Sequence, residues 1–212
     1  MADERLRTWE TLFQRALVLL DSVEASGNPV PRWSFGGGTV LMLKHHHRFS
    51  KDIDIFLPDP QMLGHLTPRL NEVAESLTNH YDEHGDSLKL YFPEGEIDFV
   101  ASAPLTARPH ATESLLARDV LVETSTEIIA KKVWHRGSLF TARDIFDLAM
   151  VAEKESGALR EIAPILQDRK SAVLGRIATS ELQLREAFEA LDVLDYRRSF
   201  DECVERVRQA FN

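Results

Sequence analysis

The sequence predicts an α+β fold: a mixed α/β part that carries a sheet, followed by a helical C-terminal part. Short apolar segments with the two-residue alternation of strands occur before residue 124, and beyond it apolar residues recur at helical spacing. Glycine and proline separate the segments of the first part, with a hairpin signal at 93–95. We therefore divide the chain into two domains, 1–123 and 124–212.

The first domain opens with an amphipathic helix at 4–25, whose apolar residues recur every three or four positions before Gly27-Asn28-Pro29 ends it. Asp59-Pro60 pairs an N-cap acid with a first-turn proline, which predicts a helix from there to about residue 80. The same rules predict strands at 32–35, 52–57, 88–92, 96–101 and 120–123, and a helix at 39–47. In the second domain they predict helices at 125–136, 141–155, 158–168, 171–191 and 199–211.

Charge and composition exclude several classes of protein. The net charge of −9 excludes a global basic field for nucleic acid, so any RNA contact needs a local basic patch. The single cysteine, Cys203, excludes an intramolecular disulfide and a cysteine-based zinc site. The longest apolar run, 16–20, is far shorter than the roughly 20 residues that span a bilayer, and the N-terminus lacks the apolar core of a signal peptide. We therefore expect a cytoplasmic protein without a membrane partner.

The strongest chemical signal is the acidic strand that contains Asp52 and Asp54. These acids alternate with Ile53 and Ile55, so both carboxylates should point to one face of a sheet while the isoleucines enter the core. Two such close carboxylates repel each other unless a proton or a cation lies between them, and hard oxygen ligands suit Mg²⁺. The alternative is a half-buried edge strand whose acids face water.

Two further features of the first domain fit the same site. Asp98 lies between Ile97 and Phe99, again in strand period, and would add a third carboxylate if its strand lies beside the first. The glycine turn Gly37-Gly38-Thr39 precedes a helix, where backbone N–H groups bind phosphates. Such a site would neutralise a triphosphate during in-line displacement, whereas Asp98 alone would be a solvent-facing strand acid.

The helical domain contributes two pairs of charged residues. Lys132 and Arg136 are four apart and share a helix face, where they meet either phosphate groups or water. Asp144 and Asp147 are three apart, and Thr141-x-x-Asp144 is typical of a capping box, which makes Asp147 the better functional candidate. The run 45–47 is three histidines, but consecutive helical side chains diverge by about 100° and cannot all bind one metal ion.

In order and spacing, these motifs resemble those of the AbiEii/AbiGii toxin family of nucleotidyltransferases, within the DNA polymerase β-like superfamily. The family pattern of a Gly-Gly-Thr turn and then Arg-x-Ser-x-Asp-[Ile/Leu]-Asp is matched by Gly37-Gly38-Thr39 and by Arg48-Phe49-Ser50-Lys51-Asp52-Ile53-Asp54. The family lysine aligns with Lys132 and is followed by Arg136, and its Arg-Asp-x-x-Asp-Leu element aligns with 143–148. The resemblance spans roughly 33–150.

The resemblance implies a cytosolic, metal-dependent nucleotidyltransferase with a polymerase β-like α/β domain, the toxin of a toxin–antitoxin or phage-defence pair. It implies the following roles: Asp52 and Asp54, with Asp98, bind Mg²⁺ (or Mn²⁺); Gly37, Gly38, Thr39, Arg48 and Ser50 bind the nucleoside triphosphate; Lys132 and Arg136 stabilise its charge; and Asp147, or Asp144, positions or deprotonates the acceptor hydroxyl.

The implied partners are a nucleoside triphosphate, a cognate antitoxin, and an acceptor that is either a tRNA 3′ end or a protein side chain. Two other functions stay open at this point. One is a non-catalytic nucleotide-binding or interaction module that retains the fold. The other is a small-molecule nucleotidyltransferase of the aminoglycoside-modifying type.

Overall fold

The computed structural model describes residues 4–28, 30–155 and 157–212. The α-helices are α1 (Thr8–Ala25), α2 (Gly37–His45), α3 (Leu63–Leu66), α4 (Glu72–Leu77), α5 (Ser125–Arg136), α6 (Ala142–Lys154), α7 (Ala158–Glu161), α8 (Ala163–Thr179), α9 (Glu181–Glu189) and α10 (Phe200–Ala210). The strands are β1 (Ser34–Gly36), β2 (Ile53–Leu57), β3 (Tyr81–Glu83), β4 (Ser87–Phe92), β5 (Gly95–Ala101), β6 (His110–Leu115) and β7 (Arg118–Glu123).

The strands form one mixed sheet of seven in the order β3-β4-β5-β2-β1-β7-β6. The central neighbours β2 and β5 are parallel, as are β1 and β7, whereas β1 runs antiparallel to β2. Helices α5 to α10 all follow the last strand. This arrangement confirms the predicted α+β fold class.

The predicted long helix after Asp59 is broken into shorter pieces. A 3-10 turn at Pro60–Met62 leads into α3, and α4 begins only at Glu72. Pro68 accounts for the break, because a proline disfavours the helical conformation in the residue before it, and Thr67 is extended with ψ 137°. The predicted end of the first helix includes Pro29, which lies outside the described residues.

Two strands, β3 and β6, escape sequence-based prediction because they are the outermost strands of the sheet. In β6 no residue is fully buried, so its sequence HATESL lacks the apolar alternation that marks a half-buried strand.

In the C-terminal part, the two helices predicted at 158–168 and 171–191 are divided differently, as α7, α8 and α9.

The described residues divide into two compact units. The first takes residues from 1–40, 50–104 and 110–123, and the second takes those from 41–49, 105–109 and 124–212. The second unit therefore includes two segments that lie before the sequence-based boundary at 123. One of them is held by buried Glu127, whose carboxylate accepts hydrogen bonds from the backbone N–H groups of Leu105 and Thr106 at 2.9–3.2 Å.

The core of the first unit lies between α1 and one face of the sheet. Phe13 of α1 stacks on Phe35 of β1 with ring centroids 4.7 Å apart, and Trp9 packs against both rings. Phe35 is paired with Ile55, which is paired with Phe99, so these side chains share the core face. By strand alternation, Asp54 and its neighbours occupy the opposite face.

The second unit is built around α6, which packs against α5, α9 and α10. Its residues from Asp144 to Val151 are all buried. Phe146 of α6 lies in an aromatic cluster, with Phe188 and Tyr196 edge-on at 5.5 and 5.3 Å and the His47 ring stacked at 5.9 Å. In the part of the chain that the structure describes, we find no helix with the length and apolar character needed to cross a bilayer.

We expect Gly37→Ala to lower the free energy of unfolding by about 1–3 kcal/mol, because Gly37 has a φ of +74° that other residues adopt at this cost. A Cβ there would also overlap the Asp54 carboxylate. The control is Gly175→Ala, where a Cβ within α8 would meet no atom, so stability should rise by about 0.5–1 kcal/mol. Urea titrations measure both changes, and a Gly37→Ala protein as stable as the wild type would contradict the strain argument.

Candidate active site

The candidate site of the first unit is a row of side chains across the middle of the sheet. Strand register places Asp98 of β5 directly opposite Asp54 of β2, and Asp54 opposite Gly36 of β1. Directly opposite residues in neighbouring strands point to the same face. The two carboxylates therefore lie side by side on the face opposite the α1 core.

Glycines make room for these carboxylates. A Cβ on Gly37 would overlap the Asp54 carboxylate, and one on Gly36 would overlap that of Glu123 in β7. The N-terminus of α2 thus begins against Asp54, which brings the first helical N–H groups and the acidic strand together. The positive end of the helix dipole at the start of α2 stabilises negative charge, either that of Asp54 or that of a phosphate group beside it.

The negative charge of Asp98 is disfavoured by burial and by the neighbouring Asp54, so a nearby cation would stabilise it. Burial and the nearby charge of Asp54 raise the pKa of Asp98 to about 6, although Lys89 acts in the opposite direction. The Lys89 ammonium lies 3.1 Å from Oδ2 of Asp98 and 2.7 Å from Oε2 of Glu96. Sequence reasoning missed both residues: strand register brings Lys89 of β4 opposite Asp98, whereas Glu96 precedes Asp98 by two residues in β5 and shares its face.

Asp52 lies just before β2, and its carboxylate is directed to the backbone. Its Oδ1 accepts a hydrogen bond from the N–H of Glu96 at 3.2 Å. This contact ties Asp52 to the start of β5, two residues before Asp98. The structure thus pairs Asp54 with Asp98 more directly than it pairs either with Asp52.

Thr39 and Ser50 are placed for holding the backbone. The Thr39 side chain is fully buried, its hydroxyl donates to the carbonyl oxygen of Asp52 at 2.6 Å, and it lies 3.1 Å from the Ser50 hydroxyl. A buried hydroxyl used in this way is unsuited to direct contact with a triphosphate. The phosphate contact predicted for the turn of Gly37, Gly38 and Thr39 through backbone N–H groups stays a prediction, and the Thr39 hydroxyl has a separate role.

A further acid, Glu123, lies on the same face and was not predicted. It is 1% exposed, and its Oε1 accepts a hydrogen bond from the Ser34 hydroxyl at 3.0 Å. Glu123 is the last residue of β7 and directly precedes the second domain predicted from sequence. The signal available in the sequence was a glutamate ending the apolar run VLVE, which is weak in isolation.

The carboxylates of the first unit suit a magnesium ion that takes its remaining ligands from a bound substrate. Among the described residues, no three Asp, Glu, His or Cys side chains are grouped as a complete protein metal site. Mg²⁺ is typically bound through one or two carboxylates while phosphate oxygens and water supply the other ligands. Asp54 and Asp98, as neighbouring carboxylates on one face, have the chemistry for that mode.

The second unit contains a candidate group of its own, a buried ion network. Arg48 donates two hydrogen bonds to Asp147, from Nε to Oδ1 at 2.7 Å and from Nη2 to Oδ2 at 2.8 Å. His47 Nε2 lies 2.9 Å from Oδ1 and must donate, because a carboxylate oxygen only accepts. Lys132 Nζ lies 3.2 Å from Oδ2. The Asp147 carboxylate is fully buried, and each of these contacts joins it to a basic side chain.

Asp144 binds the other side of Lys132. Its carboxylate accepts from Lys132 Nζ at 2.9 Å and from Arg136 Nη1 at 2.9 and 3.0 Å. It also closes a capping box with Thr141, which confirms the structural role that the sequence had left open. Asp144 therefore both caps α6 and positions the two cations of α5.

Charges in this network are strongly stabilised by one another. Burial alone would raise the pKa of Asp147, but Arg48 and Lys132 overcome it and hold that pKa well below the usual range. In the same way Lys132 and Arg136 lower the pKa of Asp144 to about 2. Burial lowers the pKa of His47, so it is neutral at neutral pH. Three cations thus surround two carboxylates, and Arg136 is the most exposed of the three, at 42% of its side chain.

This geometry does not fit the acceptor role predicted for Asp147. A base must reach the hydroxyl proton of the acceptor, whereas Asp147 is 0% exposed and already accepts from Arg48 and His47. Its low pKa also makes it a poor proton acceptor. The role predicted for Asp147 at the acceptor hydroxyl stays a prediction, and its observed contacts are those of a group that positions Arg48 and Lys132.

Lys131 is separated from the network although it is adjacent in sequence. Its ammonium lies 3.5 Å from Glu127 Oε1, one helical turn earlier. Lys132, in contrast, contacts both aspartates of the network. The three histidines are also separated: His45 lies 2.8 Å from Glu155, His46 lies 2.8 Å from Asp195, and only His47 joins the network.

Comparisons with known proteins show the family through a family model and the fold through solved structures. The family model described as nucleotidyl transferase AbiEii toxin, type IV toxin–antitoxin system, matches residues 20–211. MenT4, the nucleotidyltransferase toxin Rv2826c of Mycobacterium tuberculosis H37Rv, is similar in structure with a TM-score of 0.54 and 19% identity, covering 98% of this chain and 82% of its own. JHP933 from Helicobacter pylori has a TM-score of 0.53 and 15% identity, covering 100% and 92%. No curated protein sequence matches the chain.

We expect Asp144→Asn to lower the free energy of unfolding at pH 7 by about 2–3 kcal/mol, which corresponds to a carboxyl pKa moved from about 3.9 when unfolded to about 2 when folded. Because the folded pKa is depressed, this stability is present above pH 4 and disappears as the pH falls towards 2. Urea titrations at stepped pH values should show the wild type and the variant converging over that range.

The control for this prediction is Asp201→Asn. Asp201 also forms an ion pair, at 2.6 Å with Arg185, but in an exposed position where solvent screens the charges. Its loss should change stability far less. Equal losses in the two variants would show that burial of the network contributes no special stability.

Proposed function

Because the chain belongs to the AbiEii nucleotidyl transferase toxin family, as its motifs predict, we propose that it transfers a nucleotide from a nucleoside triphosphate to a macromolecular acceptor. The observation that carries this proposal is the pair Asp54 and Asp98, side by side on one sheet face, with the N-terminus of α2 beginning against Asp54. Carboxylates and helical N–H groups so close together suit a metal-bound triphosphate.

Asp54 and Asp98 would hold Mg²⁺ or Mn²⁺, and Asp52 supports them through its hydrogen bond to β5. When bound, such an ion neutralises charge that develops on the phosphates and orients them for in-line displacement. The N–H groups of Gly37, Gly38 and Thr39 bind phosphate oxygens. Thr39 adds its buried hydroxyl bond to Asp52, which fixes the acidic segment to the first turn of α2.

Lys132 and Arg136 of the second unit supply the positive charge that we propose for phosphate groups. The positions of the first unit carry 8 Lys and Arg against 19 Asp and Glu, a net charge of −11, whereas those of the second carry 17 against 15, a net charge of +2. An anionic substrate therefore needs Lys132 and Arg136. Arg48 serves mainly to hold Asp147, and Asp147 and Asp144 hold the lysine in place.

The same charge difference bears on the acceptor. A tRNA 3′ end would be attracted to the cations of the second unit and repelled by the first. We propose a tRNA 3′ end as the acceptor, with a protein side chain as the alternative outcome of the test below. A cognate antitoxin is expected as a partner from the type IV toxin–antitoxin family.

We expect Asp54→Asn to reduce nucleotide transfer by at least about 100-fold, since a bound metal ion contributes several kcal/mol to stabilising the transition state. The assay incubates the protein with α-labelled nucleoside triphosphates, Mg²⁺ and cell extract, and identifies the labelled RNA or protein. Asp86→Asn, an exposed acid of the same unit, is the matched control and should retain full activity. A folded Asp54→Asn protein with most of the wild-type rate would refute metal-assisted transfer at this residue.

We expect Lys132→Met to weaken triphosphate binding by about 10- to 100-fold, the effect of losing one charge-assisted hydrogen bond of about 1.5–3 kcal/mol. Lys131→Met is the matched control, because Lys131 is the preceding residue of α5 and also pairs with a buried carboxylate. Equilibrium binding of a non-hydrolysable triphosphate measures both variants at equal folded fractions. If the two variants bound the triphosphate with similar affinity, Lys132 would have a structural role only.

A further inference from the structure

Lys89 occupies a position for which the proposed chemistry does not account. It lies in β4 directly opposite Asp98, so the row across the sheet reads Lys89, Asp98, Asp54. Its ammonium is 3.1 Å from Asp98 and 2.7 Å from Glu96. One-third of the Lys89 side chain is exposed, so this residue lies at the solvent-facing edge of the row.

We propose that Lys89 is a built-in counter-cation of the Asp54–Asp98 pair, and that it disfavours a divalent ion there until a nucleoside triphosphate arrives with the metal. This inference rests on the proposed function, because it concerns the metal-binding carboxylates of that site. It assigns to Lys89 a positioning and charge-balancing role that follows from strand register.

The electrostatic reason is competition for the same oxygens. Two neighbouring carboxylates repel each other, and Lys89 relieves that repulsion with one positive charge. A divalent ion held by Asp98 would be repelled by the ammonium, which lies 3.1 Å from the same carboxylate. Binding of the ion alone therefore has to displace Lys89 from Asp98, and the pair retains only part of its attraction for free metal.

A triphosphate reverses this balance. It brings several negative charges, which compensate the added metal and offer the displaced ammonium a phosphate oxygen as a new partner. Metal and nucleotide then bind cooperatively, because each removes the repulsion that the other would meet. In the structure Glu96 holds the ammonium at the edge of the row, through the shorter of its two contacts.

The test measures Mn²⁺ binding to the folded protein without nucleotide, by electron paramagnetic resonance of the free ion. We expect Lys89→Met to tighten Mn²⁺ binding at least about tenfold, since juxtaposed like charges cost several kcal/mol. Lys89→Arg keeps the charge and should bind Mn²⁺ as weakly as the wild type. Lys89→Gln, which keeps a hydrogen-bond donor, serves as the second charge-free variant if Lys89→Met does not fold.

Two controls locate the effect. Arg69→Met removes one exposed cation from the same unit, where Arg69 pairs with Glu83, and should leave Mn²⁺ affinity unchanged. Adding Asp54→Asn to Lys89→Met should abolish the gain. Unchanged affinity in both charge-free variants, an equal gain in Arg69→Met, or a gain that survives Asp54→Asn would each overturn the proposal. Because no nucleotide is present, absence of transfer activity would refute the proposed function and leave this result standing.

Discussion

The buried ion pair between Arg48 and Asp147 is the contact on which the second unit depends. Arg48 precedes the acidic motif in the chain, Asp147 lies in the middle of α6, and two hydrogen bonds of 2.7 and 2.8 Å join them. Neither charge can lose its partner cheaply, because an unpaired buried charge costs about 3–5 kcal/mol. The pair thereby holds segment 46–49 against α6, and the backbone of the same segment bonds to 192–195.

Lys132 depends on the same pair. Its ammonium lies between Asp144 and Asp147, so its position follows once these carboxylates are held by Thr141, Arg136 and Arg48. Three of the family's sequence elements, those with Arg48, with Lys132 and Arg136, and with Asp144 and Asp147, thus act together as one electrostatic unit. The cations outnumber the acids in it, which leaves net positive charge for a phosphate group even though most individual charges are paired.

The first unit, in contrast to this network, carries an excess of negative charge. Strand register brings Asp98 beside Asp54, and glycines at 36 and 37 let Asp54 and Glu123 approach the backbone. Lys89 is the cation that the sheet itself supplies for this row. The acidic pair, the helix start and Lys89 together form a group whose charge is balanced only in part, as the proposed binding of a metal with its triphosphate requires.

The sequence by itself determined the fold class, the central strands and the family. The two-residue period of Asp52 to Ile55 and the ordered motifs depend only on local spacing, which a sequence displays directly. Tertiary structure alone decided that Thr39 turns inward to Asp52, that Asp147 is enclosed by Arg48 and His47, and that Lys89 faces Asp98. These contacts join residues 9 to 100 positions apart. Their energies arise from burial and from the pairing of charges, and both exist only once the chain has folded.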